Sequence, residues 1–378
     1  MKIVIYVGMD VHKDSFSLCS FNHREGFYFA ETKIASDVKL VVKYIQSVKE
    51  KCINDGYEEV VFKIGYEAGC LGVTLCRDLI EMGYDCKIIA PTSLAKNVTN
   101  KLNKNDSRDA KMIATNMAMS TCSYVQLLDE EDYRTRELIR MMSFHKREMT
   151  RIKNKIKSFL LRNGYNYETS SNWSTQFVNK LKNLMMTDPY MKEILDEYLN
   201  TYDLLNEKIK RIALKIDEYT EKERYKEKVK NISSLKGITK HTALAIISEI
   251  GDFTRFDNPK MFASYLGLVP GEHSSGNKVV NGGITKMGNK CVRTILIEAC
   301  QCIVRYPGKS KSKVLLDRQK DTSPSVISYC DHAIKRIQDR FRSLTQNGLC
   351  YNKAITAVAR ELSCYIWGIM TNNIAIKN

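Results

Sequence analysis

Two aspartates, Asp106 and Asp109, lie three residues apart in the basic stretch from Lys101 to Lys111. Residues at i and i+3 of a helix share a face, so a helix that begins here directs both carboxylates the same way. Two like charges held this close repel each other unless a cation lies between them. The pair predicts a metal site if other carboxylates converge on it, and otherwise an exposed helix start.

The preceding residues have the pattern of an α/β domain that could bring such carboxylates together. Apolar and β-branched runs predict strands at 2–10, 15–21, 26–32, 59–66 and 85–90, and helical spacing predicts helices at 38–51 and 71–82. An antiparallel meander followed by strand–helix–strand alternation predicts a mixed sheet. Asp37 is the expected N-cap of the first helix.

Asp10 and Glu67 stand at the C-terminal ends of two predicted strands, where open α/β sheets bind ligands. With Asp106 and Asp109 they form four carboxylates at one edge of the sheet, and Asp14 is placed on a neighbouring turn. Such oxygen ligands suit Mg²⁺, with Mn²⁺ as an alternative. A pair of these ions can activate an attacking oxygen and stabilise the leaving oxygen in phosphodiester chemistry.

The composition indicates a polyanionic partner. Lysine and arginine outnumber aspartate and glutamate by 59 to 43, which gives a net charge of +16 over 378 residues. Nucleic acid is the usual partner of such a surplus, although an AT-rich genome also enriches lysine and asparagine. The twelve cysteines form no C-x-x-C pair, the N-terminus has no signal-peptide pattern, and no apolar run would span a membrane. Reduced thiols in a cytoplasmic protein are expected.

Half of the net charge falls on one predicted helix, residues 134–162, where ten lysines and arginines face two glutamates. Apolar residues recur at helical spacing along it, so the helix is amphipathic. Phosphate-backbone contact is favoured over a merely solvated face. The residues predicted to bind nucleic acid, here and in the loops, are Lys101, Lys104, Arg108, Lys146, Arg147, Arg151, Lys153, Lys278, Lys286 and Arg293.

A regular heptad follows between Leu195 and Tyr219, with apolar residues spaced alternately by three and four. This is the seam pattern of a coiled coil. Self-association and an intramolecular hairpin with residues 134–162 are both consistent with it.

The second half contains three features of interest. Residues 235–250 resemble a helix–hairpin–helix, although Thr239 stands where the second glycine is usual, and an ordinary helical turn is the alternative. Ser274 and Ser275 precede Gly276 in a glycine-rich loop among cations, where a serine could attack phosphorus, although most such loops are simple turns. Helices are predicted to begin at Ser323-Pro324 and to span 351–370, the latter as core.

The motifs Gly8-Met-Asp-Val-His-Lys-Asp14, Tyr66-Glu-Ala-Gly69 and Asn105-Asp-Ser-Arg-Asp-Ala-Lys111 resemble the DEDD-type transposases of bacterial insertion sequences. These have a RuvC-like, ribonuclease H fold at the N-terminus and are related to Piv-type invertases. Leu266-Gly-Leu-Val-Pro270, Ser-Ser-Gly and the closing helix resemble the C-terminal transposase domain of the same family.

The resemblance implies that Asp10, Glu67, Asp106 and Asp109 are the acidic tetrad. It further implies that a serine of the second-half loop forms a covalent intermediate with DNA. We assign this role to Ser275, with Ser274 as the alternative. A composite site built from different subunits of a homo-oligomer, a dimer or a tetramer, and a structured guide RNA from the element also follow from it.

Three domains are therefore expected: a RuvC-like metal-binding domain at 1–125, a basic helix and coiled coil at 126–230, and a mainly α transposase domain at 231–378. The expected function is that of a recombinase that mobilises an insertion sequence. The alternatives are a junction-resolving nuclease that uses the tetrad alone, and a non-catalytic nucleic-acid-binding protein.

Overall fold

The computed structural model describes residues 1–94, 106–166, 173–272, 281–305 and 310–375. They form an N-terminal unit, Met1–Leu127, and a C-terminal unit, Leu128–Asn378. The division into three domains after residues 125 and 230 stays a prediction. All twelve cysteines are free thiols. Across the described ranges, no helix has both the length and the apolar character needed to cross a membrane.

The N-terminal unit is a mixed α/β structure, as the sequence predicted. Its elements are β1 (Lys2–Val11), β2 (Ser15–Asn22), β3 (Phe27–Ala35), α1 (Val38–Asn54), β4 (Glu59–Glu67), α2 (Thr74–Glu81), β5 (Asp85–Ile89) and α3 (Asp106–Ala118). The five strands form one sheet in the order β3-β2-β1-β4-β5. Strand β1 pairs antiparallel with β2 and parallel with β4, and β4 pairs parallel with β5. Asp37 caps α1 by accepting a hydrogen bond from the Lys39 amide, which confirms that prediction.

The two faces of the sheet are covered by different helices. Side chains alternate between the faces of a strand, so Ile5, Val7 and Met9 lie on one face of β1, where they share a core with Val41 and Ile45 of α1. Helix α3 covers the opposite face. There its residues Ile113 and Met117 pack with Ile89 and Leu94.

The C-terminal unit is mostly helical. Its elements are α4 (Glu130–Arg162), α5 (Thr175–Lys182), α6 (Pro189–Thr220), α7 (Glu223–Ser233), α8 (Lys240–Ile250), α9 (Pro259–Tyr265), β6 (Pro270–Glu272), β7 (Asn281–Ile284), α10 (Lys290–Arg305), α11 (Lys313–Gln319), α12 (Pro324–Gln346) and α13 (Tyr351–Met370). The two short strands pair antiparallel. The predicted basic helix is α4, the heptad lies on α6, and the predicted C-terminal helices are α12 and α13.

Helices α4 and α6 form a long antiparallel hairpin. Ile156 near the end of α4 shares a cluster with Leu195 near the start of α6, whereas Ile139 near the start of α4 shares one with Ile216 near the end of α6. The heptad seam is therefore occupied within the chain. Of the two arrangements that the heptad allowed, the structure contains the hairpin.

The main core of the C-terminal unit surrounds α8, which is buried along nearly its whole length. Its run from Ala243 to Ile247 is apolar on every side, and such a run is suited to a central place. Helix α13 packs into the same core through Ile355, Val358 and Leu362, which confirms its prediction as a core helix.

Helices α7 and α8 are joined by a turn at Gly237, whose φ of 84° is a left-handed conformation that favours glycine. A β-carbon here would lie 2.6 Å from the Ala299 carbonyl oxygen, so the turn also packs closely on α10. Thr239 is the N-cap of α8 and forms a capping box with Thr242. This residue therefore has a local structural role where the helix–hairpin–helix pattern would place glycine.

A buried ion pair fastens α4 to α8. The Arg140 Nε and Nη2 atoms donate to the Glu249 carboxylate at 2.8 and 3.0 Å, and Asn289 Nδ2 donates to it at 2.7 Å. The Glu249 side chain is only 1% exposed. Arg140→Ala removes the paired charge and two hydrogen bonds from a carboxylate that stays buried, so we expect the free energy of unfolding to fall by about 3 kcal/mol.

Chemical denaturation of the two arginine variants tests this expectation. Arg134→Ala is the matched control on the same helix, because the pair of Arg134 with Glu130 is exposed and should contribute less than about 0.5 kcal/mol. Equal losses for Arg140→Ala and Arg134→Ala would contradict the importance of the buried pair.

Candidate active site

Strand alternation places Asp10 and Glu67 on the face of the sheet that α3 covers. In β1, Asp10 lies on the same face as Gly8, and its side chain points away from the core that contains Met9. In β4, Tyr66 joins that same core, so Glu67 also faces α3. Because Met9 pairs with Tyr66 in the parallel ladder, the two acids lie at equivalent positions of neighbouring strands.

A pair of glycines lets α3 approach this face. Gly8 and Gly65 are direct partners in the β1–β4 ladder, each two residues before an acid. A β-carbon at Gly8 would lie 2.1 Å from the Ala110 carbonyl oxygen, and one at Gly65 would lie 2.4 Å from the Met117 sulfur. The absence of side chains at these positions therefore sets how closely the helix packs.

Helix α3 begins at the site. Asp106 and Asp109 occupy its first turn, as the spacing predicted, and carboxylates are favoured there by the helix dipole. The helix N-terminus thus delivers both acids to the carboxyl ends of β1 and β4.

Among the described residues, Asp10, Asp106 and His12 form a cluster of potential metal ligands. One ligand atom from each lies within 4.8 Å of the other two. His12 Nε2 is 3.2 Å from Asp10 Oδ2 and 3.8 Å from Asp106 Oδ1. The sequence analysis gave His12 no role in the site. Its position two residues beyond Asp10 was the available signal, since that spacing returns a side chain to the same face of an extended chain.

Asp10 lies among other carboxylates. Burial raises the pKa of Asp10 above its ordinary value, and the charges of Asp109 and Asp106 raise it further, while His12 acts in the opposite direction. Asp109 is thus close enough to act on Asp10 electrostatically. Concentrated negative charge of this kind is the environment that a bound cation stabilises.

Strand β3 contributes neighbours that the sequence interpretation did not assign. Lys33 Nζ lies 3.0 Å from Asp106 Oδ2, and Glu31 binds both Lys111 at 2.6 Å and the Ser107 hydroxyl at 2.7 Å. Hydrogen bonds from Lys111 and Ser107 lower the pKa of Glu31. These contacts tie the first turns of α3 to the edge of the sheet.

The donor set fits a divalent metal. The Asp10 and Asp106 carboxylates supply hard oxygen ligands close enough to share one ion, which is the chemistry that Mg²⁺ and Mn²⁺ prefer. Glu67 and Asp109 stand on the same side of the sheet and at the same helix terminus. Lys33 supplies a positive charge to Asp106 that a metal ion would supply more strongly.

In sequence, the two proposed serines fall between the paired strands β6 and β7. Ser274, Ser275 and Lys278 fall outside the described residues, as do Lys101 and Lys104. On the C-terminal side of the loop, the Lys286 amide donates to the Gly267 carbonyl at 3.2 Å, and Lys286 itself is exposed.

Two of the predicted nucleic-acid contacts have other partners. Arg293 is buried and donates to the carbonyl oxygens of Leu266 and Met287 at 2.7 and 3.1 Å, so its geometry speaks against a phosphate contact and indicates a structural role. The Lys153 ammonium lies 5.4 and 5.7 Å from the ring centres of Trp173 and Tyr202. Burial lowers the pKa of Lys153, which indicates a packed cation rather than a solvated one.

The remaining described cations are accessible. Arg108 on α3 and Lys146, Arg147 and Arg151 on α4 are exposed, and Arg151 forms an ion pair with Glu148 at 2.6 Å. Basic charge at the acid cluster and along α4 is therefore open to solvent.

Two family models match the chain. The model of the DEDD-type IS110 transposase matches residues 7–163, and the model described as Transposase IS116/IS110/IS902 family matches residues 229–314. The first match contains all four predicted acids, and the second contains the loop with both serines.

Three relatives that align over most of their length are transposases by name. The y4qE protein of Sinorhizobium fredii, which carries a transposase name, is 29% identical over 96% of this chain and 88% of its own length. The transposase for insertion sequence element IS1533 of Leptospira borgpetersenii is 27% identical over 91% of this chain and 97% of its own. The transposase for insertion sequence element IS1111A of Coxiella burnetii is 27% identical over 81% of this chain and 79% of its own length.

Proposed function

Because this chain belongs to the IS110 family of DEDD-type DNA transposases, we propose that it mobilises an insertion sequence by metal-dependent strand cleavage and rejoining through a phosphoserine intermediate. The observation that carries the proposal is the convergence of Asp10 and Asp106, from separate elements, into one ligand cluster at the end of the sheet. The family implies DNA as the substrate and a divalent metal at these acids.

The N-terminal unit is assigned to the RuvC-like, ribonuclease H fold. Its antiparallel half, β3 and β2, adjoins its parallel half, β1, β4 and β5, through the central strand β1. The acids at the ends of β1 and β4 and at the start of α3 support this assignment, because they are the four residues that the family resemblance implies as the acidic tetrad.

Asp10, Glu67, Asp106 and Asp109 are proposed to hold Mg²⁺, which would polarise the scissile phosphate and favour the deprotonated attacking oxygen. The protein fixes the ligand positions by packing α3 on the glycine pair. His12, hydrogen-bonded to Asp10, orients that carboxylate, and Lys33 neutralises part of the charge on Asp106. We propose that His12 and Lys33 act as positioning residues.

Ser275 is proposed as the nucleophile, with Ser274 as the alternative. Its Oγ forms a bond to phosphorus as the bond from phosphorus to one sugar oxygen breaks; the hydroxyl proton goes to a base and the departing sugar oxygen gains a proton. In the rejoining step a sugar hydroxyl attacks the phosphoserine and releases the serine. The acids belong to one unit of the chain and the serines to the other, which supports a composite site between subunits of a dimer or tetramer.

A structured RNA from the element is proposed as a second nucleic-acid partner. The exposed cations of α4 support binding of a polyanion along the hairpin, and residues 235–250 are proposed as a helix–hairpin–helix that adds a phosphate contact. Binding that is dominated by phosphate contacts should weaken steeply with salt.

The serine assignment is tested by trapping protein on DNA. The protein is incubated with Mg²⁺ and a labelled plasmid that carries the element with its flanks, and covalent adducts are resolved under denaturing conditions. Ser275→Ala should form no adduct while its DNA binding in a gel-shift assay is retained, because only the attacking hydroxyl is removed.

Ser274→Ala is the matched control and should keep the adduct. The reverse pattern would move the nucleophile to Ser274. Cleavage by the unmodified protein without any attached protein would replace the proposal with a junction-type nuclease. DNA binding without cleavage, unaffected by a chelator, would leave only a binding function.

A further inference from the structure

A cleft of about 560 Å³ opens between α9, α12 and α13 of the C-terminal unit. Its walls include Arg336, Arg360, Glu361, Tyr365 and Trp367. This volume is in the range of sites that bind small molecules or single nucleotides. None of these residues has a role in the proposed DNA cleavage and rejoining, and the sequence analysis predicted α13 only as a core helix.

Two polar atoms in the walls of this cleft are buried without a hydrogen-bond partner. In the part of the chain that the structure describes, five buried side-chain polar atoms are in this state, and Trp367 Nε1 and Glu361 Oε2 are two of them. A buried indole N–H usually has an acceptor, and each exception in a native structure needs an explanation. These two atoms are an acceptor and a donor that a ligand bound in the cleft would pair.

The Glu361 carboxylate is held in place but not saturated. Its Oε2 lies 3.3 Å from Arg336 Nε and its Oε1 lies 3.7 Å from Arg340 Nε, so both contacts are ion pairs at long range. The two arginine side chains are 59% and 53% exposed, whereas that of Glu361 is 26% exposed. The carboxylate therefore keeps acceptor capacity, and the two exposed arginines keep donors beside it.

Aromatic rings complete the walls. Tyr365 and Tyr329 meet edge to face with their ring centres 5.2 Å apart. Gly368, near the end of α13, permits this approach, since a β-carbon there would lie 2.3 Å from the Tyr329 hydroxyl oxygen. Glycine inside a helix costs about 1 kcal/mol relative to alanine, and at this position it lets the Tyr329 hydroxyl lie against α13.

We propose that this cleft binds a guanine nucleotide extruded from a nucleic-acid strand. The N1–H and 2-amino groups of guanine donate to the Glu361 carboxylate, its O6 accepts from the Trp367 indole, and Tyr365 offers an aromatic surface. Unpaired bases in single strands are recognised in this way, by stacking and by hydrogen bonds to the Watson–Crick edge.

Other bases match this set of groups less well. Adenine would bring its N1 lone pair against the carboxylate, and neither pyrimidine presents the same adjacent pair of donors beside an acceptor. The two arginines that line the cleft, Arg336 and Arg360, outnumber its single acid and favour a ligand with a phosphate group. An RNA loop and a DNA single strand share this chemistry, and the experiment separates them.

The inference is tested without metal, so that it succeeds or fails independently of strand cleavage. The chain contains only two tryptophans, and Trp173→Phe leaves Trp367 as the sole reporter of tryptophan fluorescence. Titration with guanosine monophosphate should change this fluorescence saturably. Inosine monophosphate, which lacks the 2-amino group, and adenosine monophosphate should each bind about tenfold more weakly or worse.

Two variants test the assigned contacts. Glu361→Gln removes the charged acceptor and Tyr365→Leu removes the aromatic surface, and each should weaken guanosine monophosphate binding about tenfold. Asp339→Asn is the matched control, because Asp339 forms an exposed pair with Arg342 on α12. Thermal unfolding of each variant reports whether the fold is kept.

Competition by single-stranded oligonucleotides identifies the source of the base. Displacement by guanine-containing RNA alone assigns the cleft to RNA, and displacement by the DNA of the same sequence assigns it to DNA. Equal affinity for the guanosine and adenosine nucleotides, or unchanged affinity in a folded Glu361→Gln variant, would overturn the proposal. Absence of any saturable change with the nucleotide and with both oligonucleotides would also overturn it.

Discussion

Asp10→Asn is expected to slow metal-dependent DNA cleavage by about 10³-fold or more, since the loss of one charge-stabilising group at a reacting centre has costs of this order. Asparagine keeps the size of the side chain and removes the charge that a divalent ion needs. The measurement is the rate of strand cleavage of the labelled plasmid in Mg²⁺ and in Mn²⁺.

The same substitution should not weaken the metal-free fold. The raised pKa of Asp10 means that its ionised form costs folding free energy at neutral pH, so the neutral amide should leave stability unchanged or higher. Addition of Mg²⁺ or Mn²⁺ should raise the melting temperature of the unmodified protein and not that of the variant. Loss of activity combined with intact stability separates a metal ligand from a structural residue.

Asp14→Asn is the matched control for this experiment. Asp14 is exposed on the turn that follows the same strand, four residues from Asp10, and it lies outside the ligand cluster. It should retain both cleavage and the metal-dependent rise in melting temperature. Cleavage by Asp10→Asn at a rate close to that of the unmodified protein would remove Asp10 from the proposed site.

Gly8→Ala is expected to cost about 3 kcal/mol or more of unfolding free energy, because the new methyl group meets backbone that has no rotamer to change. Its β-carbon would lie 2.1 Å from the Ala110 carbonyl oxygen and 2.6 Å from the Ala114 amide nitrogen. Helix α3 must then move away from the sheet and carry Asp106 and Asp109 with it. Folded protein that remains should have lost metal-dependent cleavage.

Two other glycines give a graded comparison by chemical denaturation. At Gly65 the nearest obstacle is the end of the flexible Met117 side chain, so the loss should be smaller than at Gly8. At Gly69 the nearest atom is the Glu67 carbonyl oxygen at 3.7 Å, an ordinary contact, and Gly69→Ala should change stability by less than about 1 kcal/mol. A Gly8→Ala protein as stable as Gly69→Ala would contradict the close packing of α3.

The local patterns of the sequence predicted the elements of the N-terminal unit well. Strand alternation and helical spacing depend on neighbouring residues, so β1, β4 and α1 appear within a few residues of their predicted bounds. The acids at the strand ends and the Asp106–Asp109 pair were visible for the same reason. The roles of Ser274 and Ser275 came from the family resemblance alone and stay a prediction.

Contacts between distant residues were not visible in this way. Lys33 and Glu31 belong to β3, and their contact with α3 depends on the strand order of the whole sheet. The charge of Arg293 suggested a phosphate contact, yet the carbonyl oxygens that bind it belong to Leu266, at the end of α9, and to Met287, just before α10. The heptad of α6 could not choose between a partner chain and α4, because both present the same kind of apolar seam.

The sequence by itself determined which residues could do chemistry: four acids at the ends of strands and at a helix start, and a surplus of basic charge along one helix. The tertiary structure alone decided how these residues meet. It brought Asp106 to Asp10 and His12 because Gly8 and Gly65, paired across β1 and β4, leave room for α3. Side-chain alternation is a property of neighbours in the chain, whereas the approach of two elements depends on the shape of both surfaces, which only the folded protein defines.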